Sequence, residues 1–439
     1  MSLSSLPIAR TNRFDPPEEL MRLPPVVRMT YPDGHLGWLV TDHAAAKVVL
    51  SDPRFSARQE LRHPPIRANR IGDEALGARP GWFVNMDGAQ HARYRRLLAG
   101  EFTVRRTERL RPRVTEIVDA RIDALLATGP TADLVSAFAF PVPSLVICEL
   151  LGVPYEDHPF FQEQTSIAVR FDSPPAEAAT AMGALYGYLA QLVERRRRCP
   201  HGDDRHRDDL HRDDLHRDDL LGGLIAAGDL DDEELTNIAL ILLVAGHETT
   251  ANMIGLGMLA LFEHPDQLAA LRADPGLVDN AVEELLRYLT ILHAGAPFRA
   301  ALADVELAGQ LIGAGETVTV SLPVADRDPT LFPDPAELRL DRPGAHRHLA
   351  FGHGIHMCLG HALARMELRI AYRALLDRLP GLGPAVPTEE VRLRLNAAVL
   401  GIESLPITWD QPTTTDGAAG PSRTGLWLQE SRCPRNHVA

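Results

Sequence analysis

The longest unbroken pattern in the chain runs from Asp231 to Glu263. It holds the continuous apolar run IALILLVAG, then the polar residues HETT, then a second apolar stretch. A helix that is hydrophobic on every side belongs in a protein centre, and the run IALILLVAG is too short to cross a bilayer. Helical periodicity is also read over 88–128, 133–151 and 176–198, around 265–272 and 277–289, and after Gly360. Near the start, GWLVTDH predicts a short strand and DHAAAKVVLSD a helix with Asp42 as its N-cap. Residues 1–35 are Pro-rich and read as irregular. Between Phe55 and Met86, Pro, Gly and Arg leave little period, which predicts a long functional loop with at most short helices. From Asp304 to Leu322 the period becomes two, with Gly309, Gly313 and Gly315 marking turns, and a small sheet is expected there. The expected fold class is mainly α with a small β region.

Two segments break the pattern. Residues 206–220 repeat HRDDL three times, which predicts a hydrophilic surface insertion. Its His206, His211 and His216 are five residues apart, a spacing that rotates them off one helical face and argues against a shared metal. From about Gln411 the chain is rich in Thr, Gly, Ser and Pro, and 411–439 are expected to be a disordered tail. No composition shift marks a boundary before it, so residues 1–410 are read as one domain.

Composition narrows the function classes. Of 439 residues, 45% are hydrophobic and 24% charged, an ordinary soluble balance. The formal net charge of −14 disfavours a nucleic-acid binder. Cys148, Cys199, Cys358 and Cys433 stand far apart, with no C-x-x-C pair to indicate a disulfide framework or a zinc ribbon. The start, MSLSSLPIAR, lacks a long apolar run, so no signal peptide, anchor or membrane association is expected. A reducing cytoplasm is the simplest setting.

The chemistry concentrates in Phe351-Gly352-His353-Gly354-Ile355-His356-Met357-Cys358-Leu359-Gly360. A glycine-punctuated loop presents one cysteine just before an apolar helix, whose positive N-terminal end favours thiolate over thiol. A lone thiolate suits the axial position of a haem. The alternative is a buried structural cysteine. The stretch matches the haem-binding signature of cytochromes P450, F-G-x-G-x-H-x-C-x-G, at every defined position. Three other motifs follow the order of that family, and together they span residues 35 to 410. The chain resembles soluble actinobacterial P450s that act on macrolides, other secondary metabolites and xenobiotics.

The resemblance implies a triangular P450 fold, one haem b held by Cys358, and dioxygen as co-substrate. Ala245-Gly246-His247-Glu248-Thr249-Thr250 is similar to the oxygen-binding kink of the family's long central helix. There Thr249 would hydrogen-bond the oxygen unit and Glu248 would help carry protons inward, with Ala245 and Phe351 against the cofactor. Glu284 and Arg287 share a helix face at i,i+3, and they match the family's buried E-x-x-R pair, with Arg342 as its third member. Leu338-Arg339 stands where the family shows Phe-Asp. His91 and Arg95, four apart in DGAQHARYRRL, match the pair that neutralises the haem propionates, with Arg299 and His356 as further partners. Arg93, Arg96, Arg105 and Arg106 would lie on the face where a small acidic ferredoxin docks, itself reduced by a ferredoxin reductase. Substrate walls would come from residues near 60–86, Phe160 and Phe161, Ile291 through Phe298, and Asn396 through Val399, with Ile291, Leu292 and Ala294 beside the haem.

The activity so implied is hydroxylation or epoxidation of an apolar small molecule. Two rivals remain at this point: a peroxide-driven haem enzyme of the same fold, and a non-enzymatic haem carrier or gas sensor. Glu248 and Thr249 argue against the first, because peroxide already brings its electrons and protons. A carrier or sensor would need neither a proton relay nor a substrate cavity.

Overall fold

The computed structural model describes residues 2–66, 79–169, 173–198, 219–294, 297–395 and 397–410. Most of the HRDDL repeat, the tail after 410, Asn396, Cys199, Cys433 and residues 67–78 lie outside the described residues.

The helices are α1 (Glu18–Met21), α2 (His43–Ser51), α3 (Gly88–Ala99), α4 (Val104–Thr128), α5 (Pro141–Leu151), α6 (His158–Val169), α7 (Pro175–Arg198), α8 (Leu220–Ala227), α9 (Asp232–Glu263), α10 (Pro265–Ala273), α11 (Val278–Leu289), α12 (Leu322–Ala325) and α13 (His361–Arg378). The central helix α9 starts on a capping box: Asp231 accepts from the Glu234 N–H, and Glu234 accepts from the Asp231 N–H. In full length α9 is long and apolar enough to cross a membrane, which the run IALILLVAG alone did not indicate. Yet 78% of its apolar window is buried inside the chain, among residues of α5, α7 and α13. The helix continues without interruption through HETT. Asp42 caps α2 through the Ala45 N–H, as the sequence predicts.

The pattern over 88–128 divides into α3 and α4 at Gly100–Thr103, where the Thr103 hydroxyl accepts from Arg106 N–H and restarts the helix. The pattern over 133–151 begins as a wider π turn, Val135–Ala139, before α5.

The first 35 residues are more ordered than their prolines indicate. They contribute β1 (Ser2–Leu3) and β2 (Val26–Thr30) to a six-stranded sheet. Its other strands are β3 (Leu36–Val40), β4 (Phe55–Ser56), β6 (Phe298–Ala301) and β9 (Thr317–Val320), in the order β1-β2-β3-β9-β6-β4. β3 runs parallel to β9 with Trp38 opposite Val318, and β6 runs antiparallel to β9 with Arg299 opposite the same Val318. Short pairs complete the β structure: β7 (Val305–Leu307) with β8 (Gln310–Ile312), and β11 (Leu393–Arg394) with β12 (Gly401–Ile402). A further small sheet joins β10 (Gly383–Pro384), β13 (Pro406–Thr408) and β5 (Thr131–Asp133). The helical core gathers around α9, while a second core lies under the sheet, and Leu292 touches both.

Candidate functional site

The cysteine loop is fixed from several sides. Its backbone closes where the Cys358 N–H donates to the Phe351 carbonyl at 2.9 Å. Gly354 has φ +72°, and a Cβ there would lie 2.5 Å from the Leu50 carbonyl of α2, so the loop rests on α2 at a position only glycine accommodates. The Cys358 side chain remains accessible. Burial among protein atoms pushes its thiol up, while the Gly360 N–H and the charges of Arg95 and Arg365 pull it down. The helix that follows, α13, opens at that same Gly360.

Around this loop the structure gathers a cluster of cationic and donor groups. His91 and Arg95 come from α3, His356 from the loop, and Arg299 from β6 of the sheet. The rings of His91 and His356 lie 4.1 Å apart. Burial, with the charges of His356 and Arg95 adding to it, lowers His91 to about 4. Arg299 is 6% exposed, and burial lowers it to about 10 against the pull of Asp87. Asp87 accepts from the Ser56 hydroxyl and the Ala57 N–H, and lies 3.8 Å from His356 Nε2. Nε2 of His91 and Nε2 of His356 are buried without a hydrogen-bond partner. Buried polar atoms are rarely left so. Against these four groups the cluster has, among the described residues, the single carboxylate of Asp87, so it is short of anions. A ligand with two carboxylates would complete it, and the propionates of a haem fit that donor set.

On α9 the burial pattern changes at the predicted motif. Val244, Ala245, Gly246 and Thr249 are accessible, while His247, Glu248 and Thr250 are buried. Ala245 and Thr249, one turn apart, form an open stripe on a mostly enclosed helix. The Thr249 hydroxyl donates to the Ala245 carbonyl at 2.7 Å. Glu248 does not join Thr249. Its carboxylate is ion-paired with Arg394 of β11, at 5% and 9% side-chain exposure. Asn252 Nδ2 donates to the Glu248 carbonyl at 2.9 Å. Burial raises Glu248, and Arg394 opposes the rise. This grouping needs Gly401 on β12, where a Cβ would sit 2.1 Å from Asn252 Oδ1. Arg394 was not legible from the sequence: it is distant along the chain, and RLRL carries no motif.

Behind the loop, the structure brings Glu284, Arg287 and Arg342 together. Glu284 accepts from Arg287 Nε at 2.7 Å, Arg287 Nη2 at 2.8 Å and Arg342 Nε at 2.9 Å. The Arg339 N–H adds a further bond at 3.0 Å, so the Leu338-Arg339 departure leaves the arrangement intact through its backbone. Both arginines also donate to the Glu337 carbonyl. Arg327, unflagged by the sequence reading, is buried alongside and bonds the Pro335 and Tyr288 carbonyls.

The remaining predicted positions divide. Ile291 and Ala294 are buried, and Leu292 pairs with Val399 in an isolated bridge. The Leu400 N–H donates to the Ile291 carbonyl, and His293 Nε2 lies 3.0 Å from the Ala397 carbonyl, so these two segments of the expected wall are tied to each other. Phe161 is fully buried against Tyr188. Of the four arginines expected on the docking face, Arg96 and Arg105 are exposed. Arg93 is instead bound to Glu234 at 2.5 Å and to the Asp229 carbonyl, and Arg106 to Glu101 at 2.8 Å. Both are therefore paired within the chain, whereas Arg96 and Arg105 stand exposed.

A mainly helical fold, an accessible cysteine in a glycine loop and a carboxylate-seeking cluster beside it are the attributes of a haem-thiolate protein. Residues 38–380 match the family description "Cytochrome P450", and the chain belongs to that family. It is 47% identical to cytochrome P450-SU2 of Streptomyces griseolus over 400 residues, 90% of this chain and 94% of that protein. It is 45% identical to the vitamin D3 dihydroxylase of the same organism over 385 residues, 88% of this chain and 91% of that protein. The crystal structure of CYP105P1 in complex with filipin I superposes with a TM-score of 0.82 at 40% identity, covering 93% of this chain and all of that one. The protein is therefore a haem-thiolate monooxygenase with dioxygen as co-substrate.

Proposed function

We propose that the chain hydroxylates or epoxidises an apolar small molecule of secondary-metabolite type in the cytoplasm, with electrons from a ferredoxin and its reductase. The observation that supports the site assignment best is the anion-poor cluster of His91, Arg95, Arg299 and His356 beside accessible Cys358. In this reading the four residues would hold the haem propionates, Cys358 would supply the sulfur that holds its iron, and Phe351 and Ala245 would line its site. The haem, once bound, supplies the iron at which dioxygen is reduced and one oxygen atom is transferred.

The chain's own residues manage protons and water. Thr249 Oγ1 carries a hydroxyl on the open stripe of α9, where it could turn from the Ala245 carbonyl to hold a proton or a water for the co-substrate. Glu248 is the proton carrier, and while the two are paired Arg394 favours its ionised form against the larger, opposite effect of burial. To pass a proton toward Thr249, Glu248 exchanges its Arg394 contact for a water partner. Arg394 therefore sets how readily the relay opens. Ile291, Leu292 and Ala294 would supply apolar wall, consistent with the vitamin D3 and filipin I named for two similar proteins.

The ferredoxin would meet the face carrying exposed Arg96 and Arg105, steered by opposite charge. The test is a purified, haem-loaded protein assayed with ferredoxin, reductase and NADPH, and separately with hydrogen peroxide, against macrolides, aromatic polyketides and terpenoids. A red-shifted Soret band of the reduced carbon monoxide complex and product from the ferredoxin arm are expected. Turnover with peroxide alone would replace the proposal by a peroxygenase, and absence of the red-shifted band would end the Cys358 assignment.

A further inference from the structure

A cleft of about 880 Å³ beside the cysteine loop is lined among others by Glu283, His348, Phe351, His361, Arg365 and Arg369. Within it Arg365 of α13 is fixed by Glu283 of α11. Nε donates to Oε1 at 2.6 Å and Nη2 to Oε2 at 3.0 Å, a bidentate pair that leaves the guanidinium one orientation. Glu283 is itself held by His348 Nε2 at 3.2 Å, with Arg369 Nη2 at 3.8 Å. His348 Nδ1 accepts from the Ala350 N–H, so the ring donates to Glu283 through Nε2. Arg365 Nη1 donates to His361 Nδ1 at 3.0 Å. In this fixed position the guanidinium carbon lies 4.5 Å from the centroid of the Phe351 ring. Phe351 is the residue whose carbonyl accepts the Cys358 N–H.

We propose that Arg365 is a positioning residue for the thiolate: Glu283 seats its charge on Phe351, and that charge favours one-electron reduction of the haem bound through Cys358. The inference rests on the reading of Cys358 as the axial ligand. A thiolate-ligated haem gains negative charge on reduction, so a nearby cation favours the reduced state and a nearby anion disfavours it. Arg365 and Glu283 form one salt bridge yet act with opposite sign, and this separates an electrostatic role from that of a mere clamp between α11 and α13.

The experiment is spectroelectrochemical titration of the full-length, haem-loaded protein, wild type against Arg365→Gln, Arg365→Lys and Glu283→Gln, with thermal unfolding and the reduced carbon monoxide spectrum recorded for each. Arg365→Gln is expected to disfavour reduction roughly tenfold, about 59 mV for one electron. Glu283→Gln leaves the cation without its carboxylate and is expected to shift the potential upward. Arg365→Lys keeps charge but loses the two-pronged contact, giving a smaller downward shift, and it carries the test should the glutamine variant fail to take up haem. Shifts of the same sign in the Arg365 and Glu283 variants, or unchanged potentials with the red-shifted band intact, would overturn the proposal and leave a structural clamp. A wild type without that band would instead defeat the axial-ligand reading.

Discussion

Two polar regions flank the cysteine loop, and they are finished to different degrees. Around Glu284 the carboxylate oxygens are met by Arg287, Arg342 and the Arg339 backbone, and both arginines bond carbonyls as well. Around His91 and His356 a ring nitrogen on each residue has no hydrogen-bond partner, and among the described residues Asp87 is the one carboxylate beside the two rings, Arg95 and Arg299. Both regions carry buried charge, whose desolvation is costly unless it is paired. The first is complete within the chain and so serves the fold. The second leaves donors unpartnered within the chain and, in the proposed reading, serves binding. Local satisfaction of polar groups thus distinguishes these two regions without reference to any bound molecule.

The most severe way to probe the contrast is to break the finished region. Glu284→Ala leaves Arg287 and Arg342 buried and uncompensated, at 0% and 1% exposure. Removing one partner of such a pair costs about 3–5 kcal/mol, enough to consume much of a typical domain's stability. Denaturant unfolding of Glu284→Ala and Arg287→Ala should show this loss, and little haem should be retained. A midpoint within error of wild type would mean that the network is dispensable.

Thr249→Ala tests the open region and should invert that outcome. Thr249 is accessible and its hydroxyl bonds only one turn back along its own helix, so stability should change by no more than about 0.5 kcal/mol. Product formed per NADPH should fall several-fold and peroxide should rise. Equal product per reducing equivalent in the variant would remove Thr249 from the proton path. Arg394→Gln belongs to the same series: it frees Glu248 from its partner, and a smaller change in coupling, most evident in the solvent isotope effect, is expected. An isotope effect identical to wild type would show that Arg394 does not gate the carboxylate.

A pH series sharpens the comparison at intermediate size. The Arg365 and His348 contacts lower Glu283 to about 2, against the opposing effect of burial. A carboxylate depressed in the folded state adds stability that is present above its unfolded value near 4.5 and is lost as pH falls toward 2. Wild type should therefore lose stability across that interval more steeply than Glu283→Gln, which lacks the group. Parallel acid profiles would show that the pair contributes nothing net.

The sequence made the finished parts most legible. The loop 351–360 and the Glu284–Arg287 spacing are local, so their chemistry can be read from neighbouring letters. The long helix and the Asp42 cap were legible for the same reason. What escaped depends on distant chain segments meeting. Arg394 reaches Glu248 through a short β pair, Arg365 gains its position from Glu283 on another helix, and β1 and β2 form because β3 offers an edge to a Pro-rich segment. The acid partners of Arg93 and Arg106, Glu234 and Glu101, were likewise not legible, because which acid folds beside a cation depends on packing.

The smallest predicted effect concerns the start of α9, where finished and open chemistry share one helix. Asp231 and Glu234 cap the helix reciprocally, and Glu234 also accepts from Arg93 Nη1 at 2.5 Å and the Tyr94 hydroxyl at 2.7 Å. Asp231→Ala removes one acceptor for the Glu234 N–H and should cost about 1 kcal/mol. Glu234→Gln keeps the reach of the capping side chain but weakens the Arg93 contact, which is 39% exposed and contributes less than about 1 kcal/mol. Neither variant touches the Ala245–Thr249 stripe, so product per NADPH should match wild type while the unfolding midpoint falls slightly. A change in coupling from Asp231→Ala would show that the cap and the stripe respond as one unit, and the division between scaffold and site on this helix would have to be given up.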